Sequence, residues 1–170
     1  LFNVVKYKSF AALGFPEDRI NSYEISLFNY QMTGMLVGGL LWGILGDKKG
    51  RVSVLFGSIL MYSVANIANA FVGSFEGYAL WRFIAGLGLA GELGAGITLV
   101  TETMHKDRRG IGTMIIVTFG ALGAVVASVI GKNFDWKVAY MTGGCLGLLL
   151  LLLRAGTFES GMFEQTMSAG

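Results

Sequence analysis

The sequence predicts an all-α fold, a polytopic bundle of membrane helices, and three observations carry that prediction. Of 170 residues, 54% are hydrophobic and only 14% charged, with a mean hydropathy of +0.62. Soluble domains carry about 25% charged residues, so this chain has too few charges to cover a water-facing surface. Long stretches free of Asp, Glu, Lys and Arg recur along it, and a bilayer core of about 30 Å needs about 20 helical residues. Finally, Gly occurs 26 times and Pro once. Small residues let membrane helices approach where lipid cancels any hydrophobic drive between them.

Taken in order, residues 1–24 mix Phe2, Val4 and Val5 with Lys6, Lys8 and the polar run Pro16-Glu17-Asp18-Arg19. They read as the end of a missing first helix plus an outside loop. Transmembrane helices are predicted at about 25–46, 52–75, 77–101, 110–131 and 136–155, within a membrane region of 25–157. The third span carries Arg82 and Glu92 inside it, and the fifth is lengthened by Lys137 and Arg154, which snorkel from its ends. Residues 158–170 read as the start of a cytoplasmic linker. The odd number of spans and the initial Leu1 lead us to expect a piece of a longer protein.

Orientation follows from the basic residues. Lys48, Lys49, Arg51, Lys106, Arg108, Arg109 and Arg154 would share one side, against Lys6, Lys8, Arg19, Lys132 and Lys137 on the other. The excess places loops 47–51 and 102–109 and the C-terminal tail in the cytoplasm of a plasma (inner) membrane. A net charge of +2 and the lack of any Lys/Arg run longer than two argue against nucleic acid. Cys145 is the single Cys of the chain, so no intrachain disulfide is possible. His105 lies among Lys106, Asp107 and Arg108 with no second ligand at metal spacing, and no phosphate-binding loop or nucleophile elbow occurs. Neither a cofactor, a metal nor an enzymatic activity is expected.

Four short patterns fall between or within these spans. Gly43-Ile44-Leu45-Gly46-Asp47-Lys48-Lys49-Gly50-Arg51 resembles the signature between helices 2 and 3 of the major facilitator superfamily, with Val52 where a second basic residue often stands. Trp81-Arg82-Phe83-Ile84-Ala85-Gly86-Leu87-Gly88 is similar to the helix 4 pattern Arg-x-x-x-Gly-x-Gly. Glu102 followed by Arg109-Gly110 resembles the helix 4–5 loop of sugar porters. Arg154 with Glu159-Ser160 echoes the helix 6 exit of sugar and metabolite:proton symporters, although Gly161 replaces the usual Pro. The resemblance covers residues 25–164 and implies the N-terminal half of such a transporter, helices 2 to 6, with a C-terminal six-helix half missing from the chain.

Charges inside a span are costly and face a bundle interior or an aqueous cavity, so Arg82 and Glu92 are the candidates for substrate or proton coupling. They lie about 15 Å apart along one helix and cannot pair directly. The resemblance adds that this Arg is tied to substrate or proton coupling. Structural alternatives remain for both: a carboxyl bonded to a neighbouring helix, and an inter-helix anchor. Gly43, Asp47, Gly50 and Arg51, with Glu102 and Arg109, are conformational-switch loop candidates, because in the resembled family this loop braces one end state and releases it as two halves rock. The alternative is topology alone.

Ser58, Tyr62, Asn66 and Asn69 form a polar stripe. Tyr62, Asn66 and Asn69 are candidates to line a cavity, with inter-helix bonding as the competing reading. The series Gly120-Ala124-Ser128 and Gly123-Ala127-Gly131 predict two close-packing faces on the fourth span.

The functional expectation is a secondary active transporter of small hydrophilic metabolites, proton-coupled and working by alternating access, in contact with lipid, substrate and protons. Two rival readings are a membrane sensor on the same fold that transports nothing, and a self-associating half-transporter subunit. Arg82 and Glu92 point to opposite substrate charges, so the substrate stays open at this stage.

Overall fold

The computed structural model describes residues 8–14, 16 and 19–168, with side chains through residue 155 other than those at 99, 102, 103 and 154. Five long helices make up the described chain: α1 Ile20–Lys49, α2 Arg51–Asn69, α3 Phe75–Thr103, α4 Arg109–Asn133 and α5 Trp136–Ser168, with a short 3-10 turn at Lys106–Arg108 before α4. Residues 8–12 are helical as well, while the expected helix end at 1–7 lies outside the described residues.

The joints explain the boundaries. Gly50 alone separates α1 from α2. It sits at φ 87°, ψ 151°, a conformation that other residues adopt only under strain. Its N–H donates to the Gly46 carbonyl (3.1 Å) and its carbonyl accepts from the Val54 N–H (3.4 Å). Lys48 and Lys49 close the last turn of α1, where cations favour the negative end of the helix dipole.

Helix α2 stops at Asn69 rather than running to 75, because the Ser74 side chain accepts from the Gly77 N–H (3.2 Å) and starts α3 there. Such a cap satisfies an N–H that the helix leaves open. Asp135 opens α5 in a similar way, its Oδ1 accepting from the Trp136 N–H (2.8 Å). That helix then continues through residue 154 to Ser168, past the predicted end at 155.

By length and apolar composition, 51–69, 106–133 and 136–153 can each cross a membrane. Helices α1 and α3, at 30 and 29 residues, are about 45 Å long.

Helix α3 is the centre of the bundle, and glycine sets its distance to α1. A Cβ on Gly34 would fall on the Phe83 carbonyl, and one on Gly86 would fall on the Gln31 carbonyl. The two seats are reciprocal, 34 against 83 and 86 against 31, so the backbones of α1 and α3 touch. On its other side, a Cβ on Gly88 would lie 2.6 Å from the Tyr62 N of α2. Side chains fill the two ends of the bundle. Phe10, Leu27, Tyr78, Trp136 and Tyr140 form one buried cluster, and Val54, Leu55, Ile59 and Ala95 form the other, with Trp42 against it.

Helix α4 stands apart. Only 6% of its spanning window is buried, against 44% for α2. Gly120 and Gly123 meet nothing within 4 Å among the described residues. The two small faces predicted for α4 are therefore not closely packed along their length: Gly123, Ala124 and Ala127 border an open cleft toward α2 and α5, Gly131 alone of the six residues is buried, and α4 is held mainly at its ends. At one end a Cβ on Gly112 would fall on Met104. At the other, the Lys8 Nζ donates to the carbonyls of Gly131 (2.9 Å), Lys132 (2.8 Å) and Phe134 (3.0 Å).

Candidate functional site

Arg82 lies two turns into α3 and is only 4% exposed. Its Nη1 donates to the Tyr140 hydroxyl of α5 (2.9 Å), and its Nη2 donates to the Gln31 Oε1 of α1 (3.0 Å). The guanidinium carbon also lies 5.7 Å from the centroid of the Tyr140 ring, within range of attraction to a π face. The Tyr140 hydroxyl is 2.8 Å from that of Tyr78, which is 3.2 Å from the Ser9 Oγ. Arginine can only donate. The Tyr140 hydroxyl therefore accepts from Arg82, and the Tyr140–Tyr78 and Tyr78–Ser9 hydroxyl pairs, in which either oxygen can donate, continue the line of bonds.

Tyr78, Tyr140 and Ser9 are all fully buried, and edge-on ring contacts bind Tyr140 to Tyr78 and to Trp136. Buried polar groups hold their place only when bonded. This chain and the Gln31 bond together fix the guanidinium and tie four segments: residues 8–12, α1, α3 and α5.

Glu92 is half-buried further along α3, and α3 brings no direct pairing between it and Arg82. Tyr62 of α2 stands against Gly88, between the two along α3. It also lines a cleft of about 420 Å³ between α2, α4 and α5, together with Ala124, Ala127 and Gly143. Asn66 and Asn69, 1% and 0% exposed, are instead packed inside. The Asn66 Nδ2 donates to the Tyr62 carbonyl (2.9 Å) and the Asn69 Nδ2 to the Ala65 carbonyl (2.9 Å). Each amide donor thus turns back on its own helix, while the Asn69 Oδ1 has no hydrogen-bond partner among the described residues.

The switch-loop candidates gather at the basic end of the bundle. Asp47 and Arg51 form an ion pair across the Gly50 joint, Nη2 to Oδ1 2.9 Å, and Gly46 leaves the room that the Arg51 guanidinium fills, since a Cβ there would lie 2.7 Å from Nη1. Gly43, Gly46 and Arg51 border a cavity of about 130 Å³ whose far wall is Ala90, Gly91 and Gly94 of α3. The Arg109 Nε donates to the Met104 carbonyl (3.2 Å), closing the end of α3. The side chains of Glu102, Arg154 and Glu159 lie outside the described set. His105 is exposed, 3.6 Å from the Asp107 carboxylate.

Sequence reasoning did not find Gln31, Tyr78, Tyr140 or Ser9 as partners of Arg82. One local signal existed, because Tyr78 precedes Arg82 by four residues and so shares its helix face. Gln31 and Tyr140 are separated from Arg82 by 51 and 58 residues, and no spacing rule reaches that far.

Comparison with known proteins places these features in context. The profile of the Major Facilitator Superfamily matches residues 10–160. The chain is 32% identical over 77% of its length to a Bacillus subtilis protein named as a candidate niacin/nicotinamide transporter. It is 36% identical over 65% of its length to a niacin transporter of Acinetobacter baylyi, and 29% identical over 81% to a 3-(3-hydroxy-phenyl)propionate transporter of Escherichia coli. The matched regions cover 34%, 26% and 35% of those relatives, so the chain spans about a third of their length.

Proposed function

The chain belongs to the major facilitator superfamily, and from that premise we propose that it forms part of a secondary active transporter of small organic acids, driven by protons through alternating access. The observation that carries the proposal is Arg82, a cation buried in a membrane bundle and oriented by two neutral groups, Tyr140 and Gln31. A guanidinium fork matches a carboxylate in two places. Where charge is excluded from water, that match is worth more than at a surface. The relatives lend support, since niacin and 3-(3-hydroxyphenyl)propionate are both ring compounds bearing one carboxylate.

In this reading all five helices cross the membrane. The basic end, with loops 47–51 and 102–109, lies in the cytoplasm of the plasma membrane, and the Ser74 end lies outside. Arg82 is then in the outer half of α3. Glu92 is near the middle of that helix, where an ionised carboxylate is costly and a proton is taken up and released as access alternates. Asp47, Gly50 and Arg51 act in the switch between end states, and a further six-helix half completes the pathway.

The test is uptake of nicotinate into proteoliposomes carrying the intact natural protein. Glu92→Gln is expected to abolish accumulation driven by a pH gradient while nicotinate exchange continues. Unchanged accumulation in that variant would remove the proton role.

A further inference from the structure

We infer that Gln31 is a specificity-determining residue whose amide oxygen holds, in the substrate-free protein, the position on Arg82 that a substrate carboxylate oxygen takes. This rests on the reading of Arg82 as the anion site. Of the two described acceptors of the guanidinium, Tyr140 and Gln31, Tyr140 is fully buried and is committed to the hydroxyl chain through Tyr78. Gln31 is half-buried and belongs to α1 rather than to that chain. A ligand arriving at Arg82 therefore meets the Gln31 bond first.

The geometry favours exchange there. The Gln31 Oε1 is a neutral acceptor 3.0 Å from Nη2, and a carboxylate oxygen is the same kind of acceptor with a full charge, which makes a shorter and stronger bond. The main chain of Gln31 cannot drift away, because its carbonyl is the seat of Gly86, one turn beyond Arg82 on α3. The amide arm can thus swing off the guanidinium while its anchor stays fixed. A neutral placeholder also gives Nη2 of the buried cation an acceptor between substrates, so that substrate release exchanges one hydrogen bond for another. Substrates without a negative charge gain too little to displace it, so the residue selects for anions.

The test uses the intact natural protein in detergent and measures equilibrium binding of nicotinate, benzoate and 3-phenylpropionate, with nicotinamide as the uncharged control. Gln31→Met keeps the length of the side chain and removes the competing oxygen, and it is expected to tighten carboxylate binding about tenfold, the equivalent of one partly exposed hydrogen bond to a charged group. Gln31→Glu installs a permanent counter-ion and is expected to weaken it more than tenfold, with nicotinamide little changed.

If Gln31 serves only to join α1 to α3, Gln31→Met lowers thermal stability and leaves carboxylate binding no tighter than in the wild type. That result, with Arg82→Gln still losing carboxylate binding, overturns the placeholder alone. Full carboxylate binding by Arg82→Gln, or no binding of any of the three acids by the wild type, overturns the anion site itself.

Discussion

Helices α3 and α4 are both rich in small residues, and the bundle uses them in opposite ways. In α3, Gly86 and Gly88 meet the backbones of α1 and α2 directly, Arg82 is buried, and every bond described for its guanidinium leaves the helix. In α4, Gly120 and Gly123 have no described atom within 4 Å of where a Cβ would stand, and Val117, Phe119 and Val125 are each more than 60% exposed. What fixes α4 is a terminal contact at each end. The difference teaches that a small-residue stripe is a capacity for close packing, and that only a facing helix turns it into a contact. It also separates two jobs. A helix locked by backbone contact can hold an ion at a set position, whereas one held at its ends can tilt or slide without unpacking a core.

The largest effect should therefore come from filling a seat in α3. Gly86→Leu drives a side chain into the Gln31 carbonyl and is expected to cost about 3 kcal/mol or more, leaving no monodisperse protein after detergent extraction. Gly123→Leu in α4 should stay within about 1 kcal/mol of wild type. Equal losses, read as midpoint temperatures in detergent, would break the contrast and show that α4 is seated on a helix beyond those described.

An intermediate effect belongs to the joint at the basic end. Gly50→Leu forces a side chain onto φ 87°, at about 1–2 kcal/mol, and Asp47→Ala removes an exposed ion pair worth well under 1 kcal/mol. Both variants should insert normally, yet nicotinate transport is expected to fall about tenfold or more if the loop operates the switch. Wild-type rates from both would reduce this loop to a topology signal.

The smallest effect is at the far end of α4. Lys8→Met removes three carbonyl contacts of a charged donor, and we expect a loss of about 1 kcal/mol. The sharper readout is faster amide exchange confined to the last turn of α4. Protection spread evenly over α3 and α4 would mean that α4 is locked as firmly as its neighbour.

Much of this contrast was legible in the sequence, but unevenly. The helices and their joints could be read because they are local. Gly50 marks a turn, charged pairs end spans, and Arg82 and Glu92 stand out against apolar neighbours. Boundaries slipped where the absence of charge was the only guide. Residues 70–74 carry no Asp, Glu, Lys or Arg, so α2 was expected to run to 75, whereas the Ser74 cap had already opened the next helix.

The site was half legible. A buried Arg announces itself by its cost, but its partners Gln31, Tyr140, Tyr78 and Ser9 depend on how four segments pack, and that is decided by seats such as Gly86 on Gln31. The faces of α4 were misread for the converse reason, since composition cannot say whether a neighbour is present.

The Trp42 side chain has a consequence for measurement. Its Nε1 donates to the Leu87 carbonyl of α3 (2.8 Å), and its ring covers Gly91, so an indole from α1 rests on the stretch of α3 between Arg82 and Glu92. Indole fluorescence moves to longer wavelength when its N–H turns from a fixed carbonyl to mobile water. With every other Trp of the intact protein replaced by Phe, Trp81 and Trp136 among them, the colour of Trp42 becomes an intrinsic optical gauge of how α1 rides on α3, readable in real time as an acid is mixed with the protein and without any attached dye.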